Sequence, residues 1–233
     1  MRIAFRLVLF TTFTCIQIQS FGQLMMNDIN IERIQQRKIR KYIEGQIEEG
    51  KCHFNEIRPT WNSGKDLSAY RQREKSFFLK NNLQVSWQGY LSANPSKAWN
   101  GRKISFGLLL RKNPGNIFYN HDSMMGIDTG QVFFLNLKIL LGIYNVPVAF
   151  EIITVDSVKK LIEFSYVEGN KSSGVQQVKF LDTGDGRTRI IHTSYYKSES
   201  HFRDKWIYPF FHNKIIRDFH RNMRRLLHLN KQI

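Results

Sequence analysis

The second half of the chain places apolar residues on alternate positions. Phe133, Leu135, Leu137, Ile139 and Leu141 fall on odd positions with Asn136 and Lys138 between them, the period of two that a strand buried on one face requires. Val146, Val148, Phe150 and Ile152 repeat the pattern on even positions, as do Ile162, Phe164 and Tyr166. Turn residues punctuate these runs: Gly142 with Asn145, Asp156 with Ser157, Gly169 with Asn170, and Thr183-Gly184-Asp185-Gly186. Such residues supply the positive φ or the local side-chain hydrogen bonds that tight turns need. With further strands at about 175–181 and 189–196, residues 131–197 predict an antiparallel meander, curved by successive hairpins, each strand turning one apolar face inward.

Elsewhere the spacing is helical. Ile31, Ile34, Ile39, Ile43 and Ile47 recur near the helical period over 27–49, with Asp28 or Asn30 to cap the start and Gly50 to end it. The polar face carries Arg33, Arg37, Lys38, Arg40 and Lys41. This amphipathic helix therefore either packs its isoleucines on a core, the commoner use of such a stripe, or lies on an anionic membrane surface. Residues 51–82 contain Pro59, Asn62, Ser63 and Gly64 and then helix formers over about 67–80, predicting a connector and a covering helix. Leu83, Val85, Trp87, Gly89 and Leu91 alternate with Gln84, Ser86, Gln88 and Tyr90, predicting one more strand. Asn94-Pro95-Ser96 predicts a helix start, followed by a short broken helical stretch with Phe106, Leu108, Leu109 and Leu110. The chain closes in a long helix over about 209–229, with Phe211, Ile215, Phe219, Met223 and Leu226 on one face and Arg217, Arg221, Arg224 and Arg225 largely off it. Pro209 suits a first helical turn, where its missing donor costs nothing.

The resulting class is α+β: a strand, short helices, an antiparallel meander and a closing helix. That order resembles the helix-grip fold of the START-like and Bet v 1-like (SRPBCC) superfamily over about residues 83–229. The likeness is strongest in the strand at 161–168, the turn at Gly169, the strands at 175–181 and 189–196 around Gly184-Asp185-Gly186, and the helix after Tyr208-Pro209; this tail is most similar to uncharacterised members of that superfamily. The resemblance implies a curved antiparallel sheet gripping the C-terminal helix, with 23–82 as a helical N-terminal extension and 83–233 as the domain. It also implies a cavity between sheet and helix that in many relatives holds an apolar or amphipathic small molecule, and concave apolar space with few polar groups is the usual form of a ligand site. Trp87, Phe133, Leu135, Phe150 and Phe164 are candidate liners, joined by Tyr166, His192, Tyr196 and Phe219. The apolar ones also fit plain core, the first requirement of a half-buried strand.

Residues 1–23 have the order of a secretory signal: Arg2 and Arg6, an apolar stretch over 7–18, then Ser20 and Gly22. Thr11, Thr12, Thr14, Cys15 and Gln17 interrupt the stretch, whereas a membrane span needs about 20 predominantly apolar residues. Lipidation at Cys15 is a minor alternative, because bulky Phe13 and Thr14 precede it. Cleavage after Gly22 would lower the formal charge from +16 to +14 and leave Cys52 as the one cysteine, so no intrachain disulfide can form and stability must come from burial. The expectation is an exported protein: periplasmic, envelope-associated or secreted. Export removes nucleic acid as the natural partner of a basic chain and favours anionic membrane surfaces or acidic glycans, unless the charge serves solubility alone.

The predicted last strand concentrates candidate chemistry. If its even positions face inward, His192, Ser194 and Tyr196 bring polar groups into an apolar cavity; if the odd ones do, Ile191, Thr193 and Tyr195 point in and His192 faces solvent. The pattern leaves both open. A non-enzymatic binding protein is the leading expectation, and a cyclase- or hydratase-like enzyme using His192 and a tyrosine as acid and base is the alternative. No metal or cofactor is expected: His212 and His220 lie eight apart, Cys52 and His53 are adjacent, and no i,i+4 histidine pair, nucleophile elbow or phosphate-binding glycine loop occurs. Glu151 and Glu163 oppose the apolar parity of their strands and are expected at solvent, which leaves no carboxylate pair for acid–base work. Asn170-Lys171-Ser172 has the form of a glycosylation sequon.

Overall fold

The computed structural model describes residues 24–124, 126–139, 142–201, 204–205 and 208–229. The signal-peptide expectation therefore lies outside the described residues. Among them no helix is long and apolar enough to cross a membrane.

Among the described residues eight strands form one antiparallel sheet: β1 (Arg71–Leu79), β2 (Ile104–Arg111), β3 (Asn116–Tyr119), β4 (Gln131–Ile139), β5 (Tyr144–Asp156), β6 (Leu161–Tyr166), β7 (Ser173–Asp182) and β8 (Thr188–Lys197). Their order across the sheet is β1-β8-β7-β6-β5-β4-β2-β3. The helices are α1 (Arg37–Glu48), α2 (Leu83–Ser92), α3 (Pro95–Ala98) and α4 (Tyr208–Leu229). The curved sheet with α4 laid along its concave face is the predicted helix grip, and β4 to β8 are the predicted meander.

Three elements differ from expectation, each for a physical reason. Residues 67–80 hold strand β1 rather than a helix. Arg71, Arg73, Glu74 and Lys75 give it a helix-like composition, but they belong to an exposed edge strand, where charged side chains are tolerated and useful. Residues 83–91 form helix α2 rather than a strand. Their alternation is real, yet Trp87 and Tyr90 are buried together at helical spacing, and the Asn82 side chain accepts a hydrogen bond from Val85 N at 2.9 Å, an N-cap that fixes the choice. Phe106 to Leu110 lie in β2, whose continuous apolar run is that of a strand covered on both faces. A bulge between Phe106 and Leu108 resets its parity. Gly107 at the bulge lets α1 approach the sheet, since a Cβ there would come 2.4 Å from Ile39 Cδ1. Because β1 pairs along its whole length with β8, the sheet starts at Arg71, before the expected domain boundary at 83.

The sheet is buried on two faces, not one. Concave positions Phe133, Phe150, Phe164 and Phe180 pack with Trp87, Tyr90, Trp99, Phe219 and Met223 of the helical layer and its linkers. Convex positions Leu108, Val132, Phe134 and Ala149 pack with Met26, Ile34, Ile39, Ile43 and Phe54. The N-terminal segment thus packs its isoleucine stripe on the core. It is broken into 3₁₀ turns at Met26–Asp28 and Ile31–Arg33 before α1, where a single helix over 27–49 was expected. Asn30 caps the second turn, and Gly50, at φ 90°, follows the end of α1. This cover explains two further corrections. Glu151 and Glu163 do face away from the concave side, but both are buried. Lys112 Nζ lies 2.6 Å from a Glu151 carboxylate oxygen and donates to Ile57 O as well, while Gln177 Nε2 donates to Glu163 at 2.7 Å.

Candidate functional site

α4 presents to the sheet a stripe of His212, Ile216, Phe219, His220, Met223 and Leu227, rotated about one residue from the expected face. His212 and His220 therefore point into the protein, while His228 in the last turn is exposed. Under the middle of α4 the hollow is filled: the Trp99 ring stacks on Phe219 with centroids 4.1 Å apart and meets Phe150 at 5.1 Å. The remaining void, bounded by Tyr90, Phe164 and Phe219 among others, is about 10 Å³, about the room of one water.

Room is left at the open end. A pocket of about 280 Å³ lies between the first turns of α4 (Tyr208, Phe211, His212, Ile215) and the strand ends carrying Leu137, Ile139, Val146, Val148 and Tyr166. Its walls are largely aliphatic and aromatic. The Tyr166 and Tyr208 hydroxyls, 2.5 Å apart, supply polar contact. Tyr208 also stacks between Tyr196, at 3.7 Å, and His212, at 4.8 Å. One wall depends on Asn170: its Nδ2 donates to Ala149 O at 2.7 Å and Val167 O at 2.8 Å, and its Oδ1 accepts from Ala149 N at 3.0 Å. The amide nitrogen that would carry a glycan at the sequon is thus engaged in holding β5 to the loop after β6. Replacing Asn170 with alanine is expected to cost about 1–3 kcal/mol, because Ala149 N loses its partner and the Ala149 and Val167 carbonyls each lose one of two donors. Urea unfolding at constant m-value measures it, and a loss below about 1 kcal/mol would mean that water serves those groups as well.

Behind the pocket runs a buried hydrogen-bonded chain. The even positions of β8 face inward, so His192, Ser194 and Tyr196 are all buried, and His192 meets His220 with 2.8 Å between its Nδ1 and Nε2 of the partner ring. Tyr90 of α2 sits 2.9 Å from His220 Nδ1. Gln176 of β7 is the hub: its Oε1 lies 2.8 Å from His192 Nε2 and 2.9 Å from His212 Nε2, and its Nε2 donates to the Tyr166 hydroxyl at 3.2 Å. Because an amide oxygen only accepts, both imidazoles must donate from Nε2. With neutral rings, His192 Nδ1 then accepts from His220 Nε2, and His220 Nδ1 accepts from the Tyr90 hydroxyl, so the tautomer of each is set by its neighbour.

Burial keeps these rings neutral. It pushes His212 down to about 3, with the charge of Lys75 adding, and His220 to about 3, with Arg224 adding. His192 is held well below its ordinary value by burial first and then by His220 and His212. The phenols move the other way: burial raises Tyr166 to about 12 against the hydrogen bonds from Tyr208 and Gln176, and holds Tyr208 well above its ordinary value with Tyr166 adding. Near neutral pH every member is uncharged, the state that buried polar groups favour.

Of the sequence candidates, Tyr166 lines the pocket, His192 belongs to the buried chain, and Tyr196 stacks on Tyr208 and donates its hydroxyl to Asp204 O at 3.2 Å. Trp87, Phe133, Leu135, Phe150, Phe164 and Phe219 sit in the concave core, with Phe164 and Phe219 bordering the small void. Sequence reasoning missed Gln176, Tyr208, His212 and Asn170. The helical offset of eight between His212 and His220 was a usable signal, since it puts both on one face of α4. Among the described residues no group of three or more histidine, cysteine or carboxylate side chains is placed to hold a metal.

The sheet, its spatial order and the gripped helix define the helix-grip fold of START-like and Bet v 1-like proteins. Among solved structures, the chain is similar to norcoclaurine synthase from Thalictrum flavum, as a point mutant in complex with a transition-state analogue. That match has 12% identity and a TM-score of 0.51, and covers 70% of this chain and 97% of that one. The same enzyme in complex with dopamine and hydroxybenzaldehyde matches at 12% identity and TM-score 0.50, covering 72% and 94%. Major latex-like protein 151 from Panax ginseng matches at 17% identity and TM-score 0.48, covering 67% and 96%. No protein-family model and no curated protein sequence matches the chain.

Proposed function

We propose that this chain is an exported binding protein that takes a small apolar or amphipathic molecule into the pocket beneath the first turns of α4. The observation that carries the reading is the pocket itself: about 280 Å³ of largely apolar space with one tyrosine hydroxyl pair. Small-molecule sites have this composition, few polar groups in an apolar cleft, and sizes from about 300 Å³ upward. The norcoclaurine synthase of the same fold, solved with dopamine and hydroxybenzaldehyde, gives a precedent for small aromatic ligands on this architecture. Export rests on the N-terminal pattern of residues 1–22.

An acid–base role for His192 has less support. Both its ring nitrogens are engaged and it does not border the pocket. Any proton exchange with a ligand would pass through the Gln176 amide, a poor carrier of protons. The neutral probe N-phenyl-1-naphthylamine is expected to bind saturably, and Ile215→Trp, which fills the pocket from α4, to weaken it at least tenfold with the circular dichroism spectrum unchanged. Absence of saturable binding, or equal binding by the variant, would sink the proposal.

A further inference from the structure

The sheet forks where β6 ends. β5 runs on beside β4 through Tyr144↔Ile139, but β6 pairs with β5 only from Phe150↔Tyr166 toward the other end, and Asn170 bridges the crotch. A second pocket, of about 260 Å³, lies at the convex side of this fork, against Lys38, Lys41 and Tyr42 of α1. It shares Tyr144, Val146, Pro147, Asn170 and Lys171 with the pocket beneath α4. α1 comes before the sheet in the chain and is additional to the gripped helix, so the N-terminal segment contributes a wall of its own.

We propose that the two pockets form one site through the fork, and that its ligand is an amphiphile with an anionic group, a carboxylate, sulfate or phosphate. The charged group lies among Lys38, Lys41 and Lys171, and the apolar body passes Val146 and Pro147 into the space beneath α4. This rests on the binding reading above and specifies its ligand class. Three observations support it. Neither pocket is lined by an aspartate or glutamate, so no carboxylate in the site draws a cation. Lys38 and Lys41 are exposed and stand three residues apart on one helical face, and among the described residues neither forms an ion pair. Each pocket alone falls just short of the roughly 300–1,000 Å³ of small-molecule sites, and the two together lie well inside that range. The headgroup stays near water, so its charge is attracted without full desolvation.

The test is displacement of N-phenyl-1-naphthylamine from the full chain by laurate, 1-dodecanol and dodecyltrimethylammonium, all below their aggregation concentrations. Laurate is expected to compete about tenfold better than dodecanol at low salt and dodecyltrimethylammonium worse than both. The laurate advantage shrinks in 0.5 M salt, as attraction by exposed charges is screened. In Lys38→Gln/Lys41→Gln/Lys171→Gln it falls to within about twofold. Equal competition by laurate and dodecanol, or an advantage that survives the triple variant, overturns the anionic site while the apolar pocket stands. Failure of the naphthylamine probe itself to bind would remove the pocket reading and this one with it.

Discussion

Lowering the pH from 7 to 4.5 is expected to remove most of the stability of this protein. In the fold His212 and His220 titrate near 3, whereas in the unfolded chain a histidine titrates near 6.5. Between those values the unfolded state holds protons that the native state refuses, so stability falls as pH falls. The slope is about 1.4 kcal/mol per pH unit for each histidine. Two units below 6.5, these two residues cost about 5 kcal/mol, against a total of about 5–15 kcal/mol for a typical domain. His192 shifts in the same direction and deepens the loss. Carboxylates do not mimic this window. Glu56 is held below its ordinary range by hydrogen bonds from backbone His53 and Cys52, so its contribution disappears only at lower pH, and Glu151 is raised by burial, which acts oppositely. Urea unfolding followed by tryptophan fluorescence at pH 7, 6, 5 and 4.5 gives the slope, which should approach two to three protons per molecule, on the order of one for each buried imidazole. In His212→Phe it should drop by about one proton. A stability that is flat from pH 7 to 5 would contradict neutral burial of the three rings.

Gln176→Leu is the substitution with the largest expected cost, about 3–6 kcal/mol. The leucine is close in volume, so packing changes little, but it strands the Nε2 proton of His192, leaves that of His212 only Ser194 Oγ at 3.4 Å, and removes the donor to Tyr166. Each buried polar group left without a partner costs about 1–3 kcal/mol, and the cost is greatest where no water enters. Gln176→Glu separates chemistry from shape. Its carboxylate accepts from both imidazoles and favours their protonated forms, so the acid sensitivity described above should weaken even where stability at pH 8 is lower. Equilibrium unfolding of both variants across pH reads out the two effects. A Gln176→Leu protein within about 1 kcal/mol of the parent would show that the hub is dispensable.

The strands from Phe133 onward and the long helix after Tyr208 were legible because one face of each is strongly apolar at a single period. Among the elements before them, the isoleucine stripe of α1 and the start of α3 at Pro95 were legible too, but β1, α2 and β2 were not, and the reasons are local. β1 carries the charges of an exposed edge, which a composition-based reading takes for helix. α2 satisfies both periods, and only the Asn82 cap discriminates. The parity of β8 was undetermined because Ile190 and Ile191 give both faces an apolar residue, and the partners that settle it, Gln176 and His220, are distant in sequence. The position of the pocket followed from none of the strand patterns. It depends on Trp99, Trp87 and Tyr90 occupying the middle of the hollow, and these come from segments whose structure was misread or irregular.

The unflanked strand β1 also bears on how molecules of this protein meet one another at high concentration. Among the described residues no strand neighbours its outer backbone groups, and Arg71, Gln72, Arg73 and Glu74 are all exposed along it. An approaching copy in antiparallel alignment would bring arginine toward arginine and lysine without a comparable number of acids to offset them, and like charges set opposite on paired strands repel. The border that would otherwise invite one sheet to grow into the next is thus guarded by electrostatic repulsion, at a place where neutral side chains would leave a sticky seam.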